Sequence, residues 1–119
     1  MSTLSVSNIT DGTTTVGTSY VVNGSAKVWV NADQTGTVLA RDSLNVSGLV
    51  DSGTGILQFN FTSSLANVGY SATASTNNFH NYVTNGDKSV SSNKVIAANG
   101  SHVNVDAAQM NCTCCGDLA

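Results

Sequence analysis

The run from Leu57 to Thr62 constrains this chain more than any other feature: Leu57, Phe59 and Phe61 alternate with Gln58, Asn60 and Thr62. Successive side chains of an extended strand point to opposite faces, so this run has one apolar and one polar face and needs a partner layer to cover the apolar one. Similar short segments recur, each closed by a turn signal. Leu4 and Val6 alternate with serines before Asp11-Gly12. Tyr20-Val21-Val22 runs into Asn23-Gly24 and is followed by Ser25 to Asn31, which predicts a hairpin, because Asn-Gly tolerates the positive φ of a tight turn. Ala32 to Gly36 turns the chain, Thr37 to Ser43 returns, and Leu44 to Leu49 extends again. Residues 51–55 form a loop, and Tyr70, Ala72 and Ala74 repeat the alternation more weakly. Residues 75–88 read as a polar excursion; Ser89 to Ala97, His102 to Val105 and Met110 to Cys115 complete the strands. Close spacing of short strands with turns between them predicts an all-β fold, a single antiparallel β-sandwich or barrel-like domain over residues 1–119.

Composition agrees. The 119 residues contain no proline and no glutamate, and Val, Thr, Ser, Asn and Gly stand where good helix formers would. Only 9% of residues are charged and the net charge is −3, so the clustered cations that neutralise phosphates are missing and nucleic acid is not expected as a partner. No apolar run approaches the length of a membrane span, and Met1 to Ser5 lacks the basic start and apolar stretch of a signal peptide. Without such a leader the Asn-x-Ser/Thr triplets at Asn8, Asn23, Asn45, Asn60, Asn99 and Asn111 are expected to stay unmodified. A charge-poor chain of many strands has sticky edges, which self-assembly would hide.

One predicted strand is two-faced in an informative way. Ala26, Val28 and Val30 share one side, and Lys27, Trp29 and Asn31 share the other. A tryptophan on the polar side implies a cover: packing inside the domain with Lys27 reaching outward, or a subunit contact, in which tryptophan is a frequent anchor. Lys27, Trp29 and Asn31 are therefore the candidate interface residues.

Gly24-Ser25-Ala26-Lys27-Val28-Trp29-Val30-Asn31 is followed, in order, by Arg41-Asp42-Ser43-Leu44-Asn45-Val46-Ser47, by Asp51-Ser52-Gly53-Thr54-Gly55, by Asn60-Phe61-Thr62 and by Tyr70. This ordered set resembles a small β domain that recurs in virion structural proteins of tailed bacteriophages, of the tail-fibre-like or decoration type. The chain departs from that pattern at Leu57, where the family often has Tyr, and at Leu65-Ala66, where it often has Met-Pro. The resemblance implies a family-like core over about 24–116, with residues 1–23 contributing to assembly contacts. It also implies a virion location, after assembly in the host bacterial cytoplasm, and a homo-oligomer, dimer or trimer, bound to other virion proteins such as the major capsid protein. It supplies no catalytic residue, and a fold by itself does not define a function.

Three constellations remain. Cys112, Cys114 and Cys115 are close enough in sequence to suggest a soft metal, yet no second ligand pair completes a closed site. Cys112 and Cys114 lie two apart, as small buried side chains on one strand face would, and Cys115 is the candidate for exposure and interchain chemistry. His80 and His102, the only imidazoles, have no nucleophile motif around them, so neither an enzymatic activity nor a cofactor is expected. Asn78, Phe79, His80 and Tyr82 combine amides with aromatics, which suits stacking on a host surface glycan as well as it suits a loop anchored on its own domain. From the residues and the resemblance together, the chain is expected to be a non-enzymatic capsid-decorating or cement protein; the alternative is a receptor- or glycan-binding tail-fibre module.

Overall fold

The computed structural model describes residues 1–78, 80–83 and 87–119, with 81–83 described in backbone only. Two four-stranded antiparallel sheets face one another, and neither closes into a barrel. A small N-terminal arm precedes them. In the arm, β1 (Asn8–Thr10) pairs with β2 (Thr15–Gly17), and a seven-residue helix α1 (Thr18–Gly24) follows. The first sheet has the order β4-β3-β10-β7, built from β3 (Ala26–Asp33), β4 (Leu39–Leu44), β7 (Ser71–Thr76) and β10 (Met110–Cys115). The second has the order β5-β6-β9-β8, built from β5 (Val46–Gly53), β6 (Ile56–Phe61), β8 (His80–Val83) and β9 (Ser92–Ala98).

The core lies between the sheets and follows the alternation. Val28, Val30 and Ala32 from β3 and Met110, Cys112 and Cys114 from β10 meet Leu57, Phe59 and Phe61 from β6 and Val95 and Ala97 from β9. Phe59, Phe61 and Tyr70 form an aromatic run with ring centroids 6.0 Å apart at each step, the last pair edge-on, the arrangement that ring quadrupoles favour. Tyr70 is buried because its hydroxyl finds partners, donating towards the carbonyls of Ser89 and Ser92 at 3.2 and 3.1 Å.

The chain crosses between sheets at single residues. Leu44 to Leu49 does not run as one strand: it breaks at Asn45, whose φ of 59° turns β4 of one sheet into β5 of the other. Asparagine tolerates this left-handed conformation. Its side chain locks the corner, accepting from Ser63 N at 2.6 Å and donating to the Ser63 carbonyl at 2.9 Å.

Three other expectations are corrected. Tyr20-Val21-Val22 is helical, not the first strand of a hairpin, so Asn23-Gly24 ends a helix instead of turning a sheet. Asparagine and glycine serve both purposes, and the deciding contact comes from outside the pair: Lys27 Nζ binds the Val22 carbonyl and, at 2.8 Å, the Ser25 carbonyl, neutralising the helix end. The polar excursion over 75–88 also contains strand: β7 runs to Thr76 and β8 occupies His80–Val83. Of His102 to Val105, only Asn104 makes a bridge, to Ala98.

The arm stands apart. No residue from 1 to 25 is buried. The molecule measures 50 × 29 × 26 Å with a radius of gyration of 16.4 Å, against about 13–14 Å expected for a compact chain of this length.

Candidate functional site

β3 places the interface residues. Its inward side chains enter the core, so Lys27, Trp29, Asn31 and Asp33 face outward from the first sheet. Register then sets their neighbours. Trp29 lies opposite Leu44 of β4 and Thr113 of β10, and Thr113 lies opposite Thr73 of β7. One rung further, Asn31 lies opposite Asp42 and Asn111, and Asn111 opposite Ser75. The second rung is hydrogen-bonded across all four strands. Arg41 donates to the Asn31 carboxamide at 3.4 Å, Asn31 Nδ2 to Asn111 Oδ1 at 2.5 Å, and Asn111 Nδ2 to Ser75 Oγ at 3.3 Å. Beside this polar ladder the outer face carries the half-buried indole of Trp29 and the exposed Leu44 and Leu39.

The three candidates do different things here. Trp29 and Asn31 share the outer face, as the alternation requires. Lys27 is not a free charge: its ammonium is engaged by the Val22 and Ser25 carbonyls and by Ser25 Oγ. Its place in the fold is the junction between arm and sheet. At the rim, Arg41 Nη2 meets Asp33 Oδ2 at 2.7 Å. The Asp33 carboxyl is held below its usual range, first by the Thr35 hydroxyl, next by the Thr35 amide, and to a lesser degree by Arg41.

Beside this face lies an apolar groove of about 440 Å³, lined by Ala26, Lys27, Leu44, Asn45, Thr62, Ser63 and Leu118. Leu44 belongs to both the groove and the Trp29 rung, so the two surfaces are continuous.

Of the four candidate ligand residues, His80 and Tyr82 lie in β8 and not in a free loop. Asn78 follows β7, and its Nδ2 is buried with no hydrogen-bond partner among the described residues. Phe79 lies outside the described residues. His80 opens β8, and its ring stacks on His102 at 4.4 Å between centroids and 20° between planes. Tyr82 sits in β8 opposite Ile96, with its side chain outside the described atoms.

Cys112 and Cys114 are buried side by side with their sulfurs 4.0 Å apart, while Cys115 is half-buried and lines a polar cavity of about 310 Å³ with Asn67, Tyr70 and Asp117. The Cys112 thiol is held well above its ordinary range, first by the hydrogen bond it shares with Cys114 and then by burial. Among the described residues no group of three or more His, Cys, Asp or Glu could hold a metal ion.

Gln34 was not visible as a structural residue in the sequence. It is buried just past β3, where a turn was expected, and its Nε2 reaches Asp51 Oδ1, the Gly53 carbonyl and the Ile56 carbonyl at 3.2, 3.0 and 3.1 Å. It ties the first sheet to the β5–β6 hairpin of the second. No local pattern could have revealed it, since its partners are 17 to 22 residues away.

Comparison of the chain with protein-family models, with curated proteins and with solved structures finds no match.

Proposed function

We propose that this protein is a non-enzymatic structural component of a tailed-phage virion, a capsid-decorating or cement protein that assembles as a homo-oligomer on the particle. One observation carries the reading: apolar side chains stand exposed along the arm and beside the groove. Leu4, Ile9, Val16, Tyr20, Val21 and Val22 of the arm are exposed, and Leu44 and Leu118 are exposed beside the groove. Isolated exposed apolar residues are ordinary, whereas contiguous ones mark interaction surfaces. The Gly24-to-Tyr70 motif set supports a virion setting.

The chemistry proposed is adhesion. Each copy would cover its apolar arm and its Trp29 face against neighbouring copies and against the shell, adding non-covalent links that a bare capsid lacks. The test is to add purified protein to shells of the encoding phage that lack it. Saturable binding with increased resistance to heat or to chelation is the expected result. Shells that neither bind it nor gain resistance would refute the decoration role.

A further inference from the structure

A strand at the edge of a sheet presents a row of unpaired N–H and C=O groups, and folded chains blunt such edges with bulges, charges or short length. Three of the four edge strands here are blunted. β4 carries Arg41 and Asp42, and Arg41 is the extra residue of a bulge, because Asn31 pairs with Asp42 and the next residue, Ala32, with Ala40. β5 loses register against β6 twice, between Val46 and Gly48 and between Asp51 and Gly53. β8 has four residues.

β7 has none of these devices. Its six residues, Ser71–Thr76, hold no charge and pair with β10 in unbroken register. Among the described residues, β10 is the one strand that β7 pairs with. Ser71, Thr73 and Ser75 are exposed on the outer face, while Ala72 and Ala74 lean on the core, so no large side chain shields the edge.

The strand itself says what fits there. Ser71-Ala72-Thr73-Ala74-Ser75 reads the same in both directions. Two antiparallel copies centred on Thr73 place Thr73 opposite Thr73, Ala72 opposite Ala74 and Ser71 opposite Ser75. Residues directly opposed in an antiparallel pair share a face, and this register satisfies that rule, with hydroxyls outward and methyls inward. Opposed Thr and Ser side chains are among the favourable cross-strand pairs. A two-fold axis through the centre is the symmetry of the commonest protein dimers.

We propose that β7 pairs with β7 of a second copy, antiparallel and centred on Thr73, joining two four-stranded sheets into one by strand addition. The rung Leu44–Trp29–Thr113–Thr73 then continues into its mate, and both Trp29 indoles lie on one side of the joined sheet. That side stays free for further copies or for the shell. The pairing supplies a definite contact for the self-assembly in the proposed function, on which it rests, and is independent of the capsid.

Engineered cysteines read the register directly. A Cys115→Ser background leaves only buried thiols. In it, Thr73→Cys should give a covalent two-chain species with copper–phenanthroline, since opposed Cβ atoms stand about 4.5–5.5 Å apart. Ser71→Cys and Ser75→Cys should each stay single, because like positions lie roughly 13 Å apart at about 3.3 Å per residue. Mixed together, those two should crosslink, which keeps the register testable if the Thr73 variant misfolds. All three positions are exposed, so circular dichroism should be unchanged. Sedimentation of the full wild-type chain should give an even number of chain masses. An even-numbered oligomer in which neither Thr73→Cys nor the mixture crosslinks faster than Ser71→Cys alone would overturn the edge pairing and leave self-assembly through another surface. A mass of three chains would overturn the two-fold pairing, and a mass of one chain would overturn the pairing and the homo-oligomer together.

Discussion

Gly55 occupies a position that no other residue can fill at low cost. Its φ is +69°, and a Cβ built there would stand 2.5 Å from the Ala97 carbonyl oxygen and 2.7 Å from Val105 N. Those neighbours are backbone atoms held in hydrogen bonds, Ala97 N to Gly55 O at 2.8 Å and Val105 N to Ala97 O at 3.1 Å, so they cannot step aside. Gly55→Ala should lose about 3 kcal/mol or more of stability, the sum of left-handed strain and overpacking, measurable by urea denaturation. The cysteines differ just as sharply. Under native conditions a thiol reagent should modify Cys115 and spare Cys112 and Cys114, with all three reacting after unfolding; three equivalents reacting at once in the native state would contradict their burial. Asp33 makes a pH prediction. Its folded pKa is depressed, so its contribution is present above the unfolded carboxylate value of about 4 and is lost as pH falls through the lower folded value. Wild type should exceed Asp33→Asn in stability at pH 6, and the gap should narrow towards pH 3.

At the scale of elements, alternation was legible where one face of a strand is buried and the other is wet. β3 and β6 meet that condition, and Val28, Val30, Leu57, Phe59 and Phe61 all lie in the core. It was not legible where the run opens on polar residues. β8 begins His80-Asn81, a polar start on an edge strand, and so passed as part of a loop. Tyr20-Val21-Val22 was misread for another reason: an apolar run before Asn-Gly fits a hairpin and a helix end equally well, and Lys27 beyond the pair decides between them. Of the candidate site, Trp29 and Asn31 were correctly placed on one outer face, whereas the groove was invisible because Leu44, Thr62 and Leu118 come from distant segments. Gln34 belongs with such long-range features. Gln34→Leu would strip the Gly53 and Ile56 carbonyls of a partner and should cost about 1–3 kcal/mol, loosening the β5–β6 hairpin first. Hydrogen exchange should show this as faster exchange confined to that hairpin at low denaturant, and uniform protection would speak against the tie.

For the molecule as a whole, the question is what covers the outer face of the first sheet. Trp29 lies outside the core cluster, so Trp29→Ala should lower the mass in solution while leaving the circular dichroism spectrum unchanged. An unchanged mass by light scattering would remove this face from the assembly surface. The groove sits at the end of the sandwich where the arm departs, beside Ala26 and Lys27 at the start of β3.

The strand order of the first sheet also bears on how such a chain comes into being. β10 lies between β3 and β7, with Asn31 paired to Asn111 eighty residues later. A nascent polypeptide still short of residue 110 therefore exposes two raw strand edges together with the apolar faces of Val28 and Val30, the arrangement from which aggregates are templated. Synthesis must pass β10 before the sandwich can shut, so the ribosome and any chaperone beside it hold an adhesive intermediate until then. Truncated products ending before β10 should accumulate as insoluble material, while the full-length protein stays dispersed.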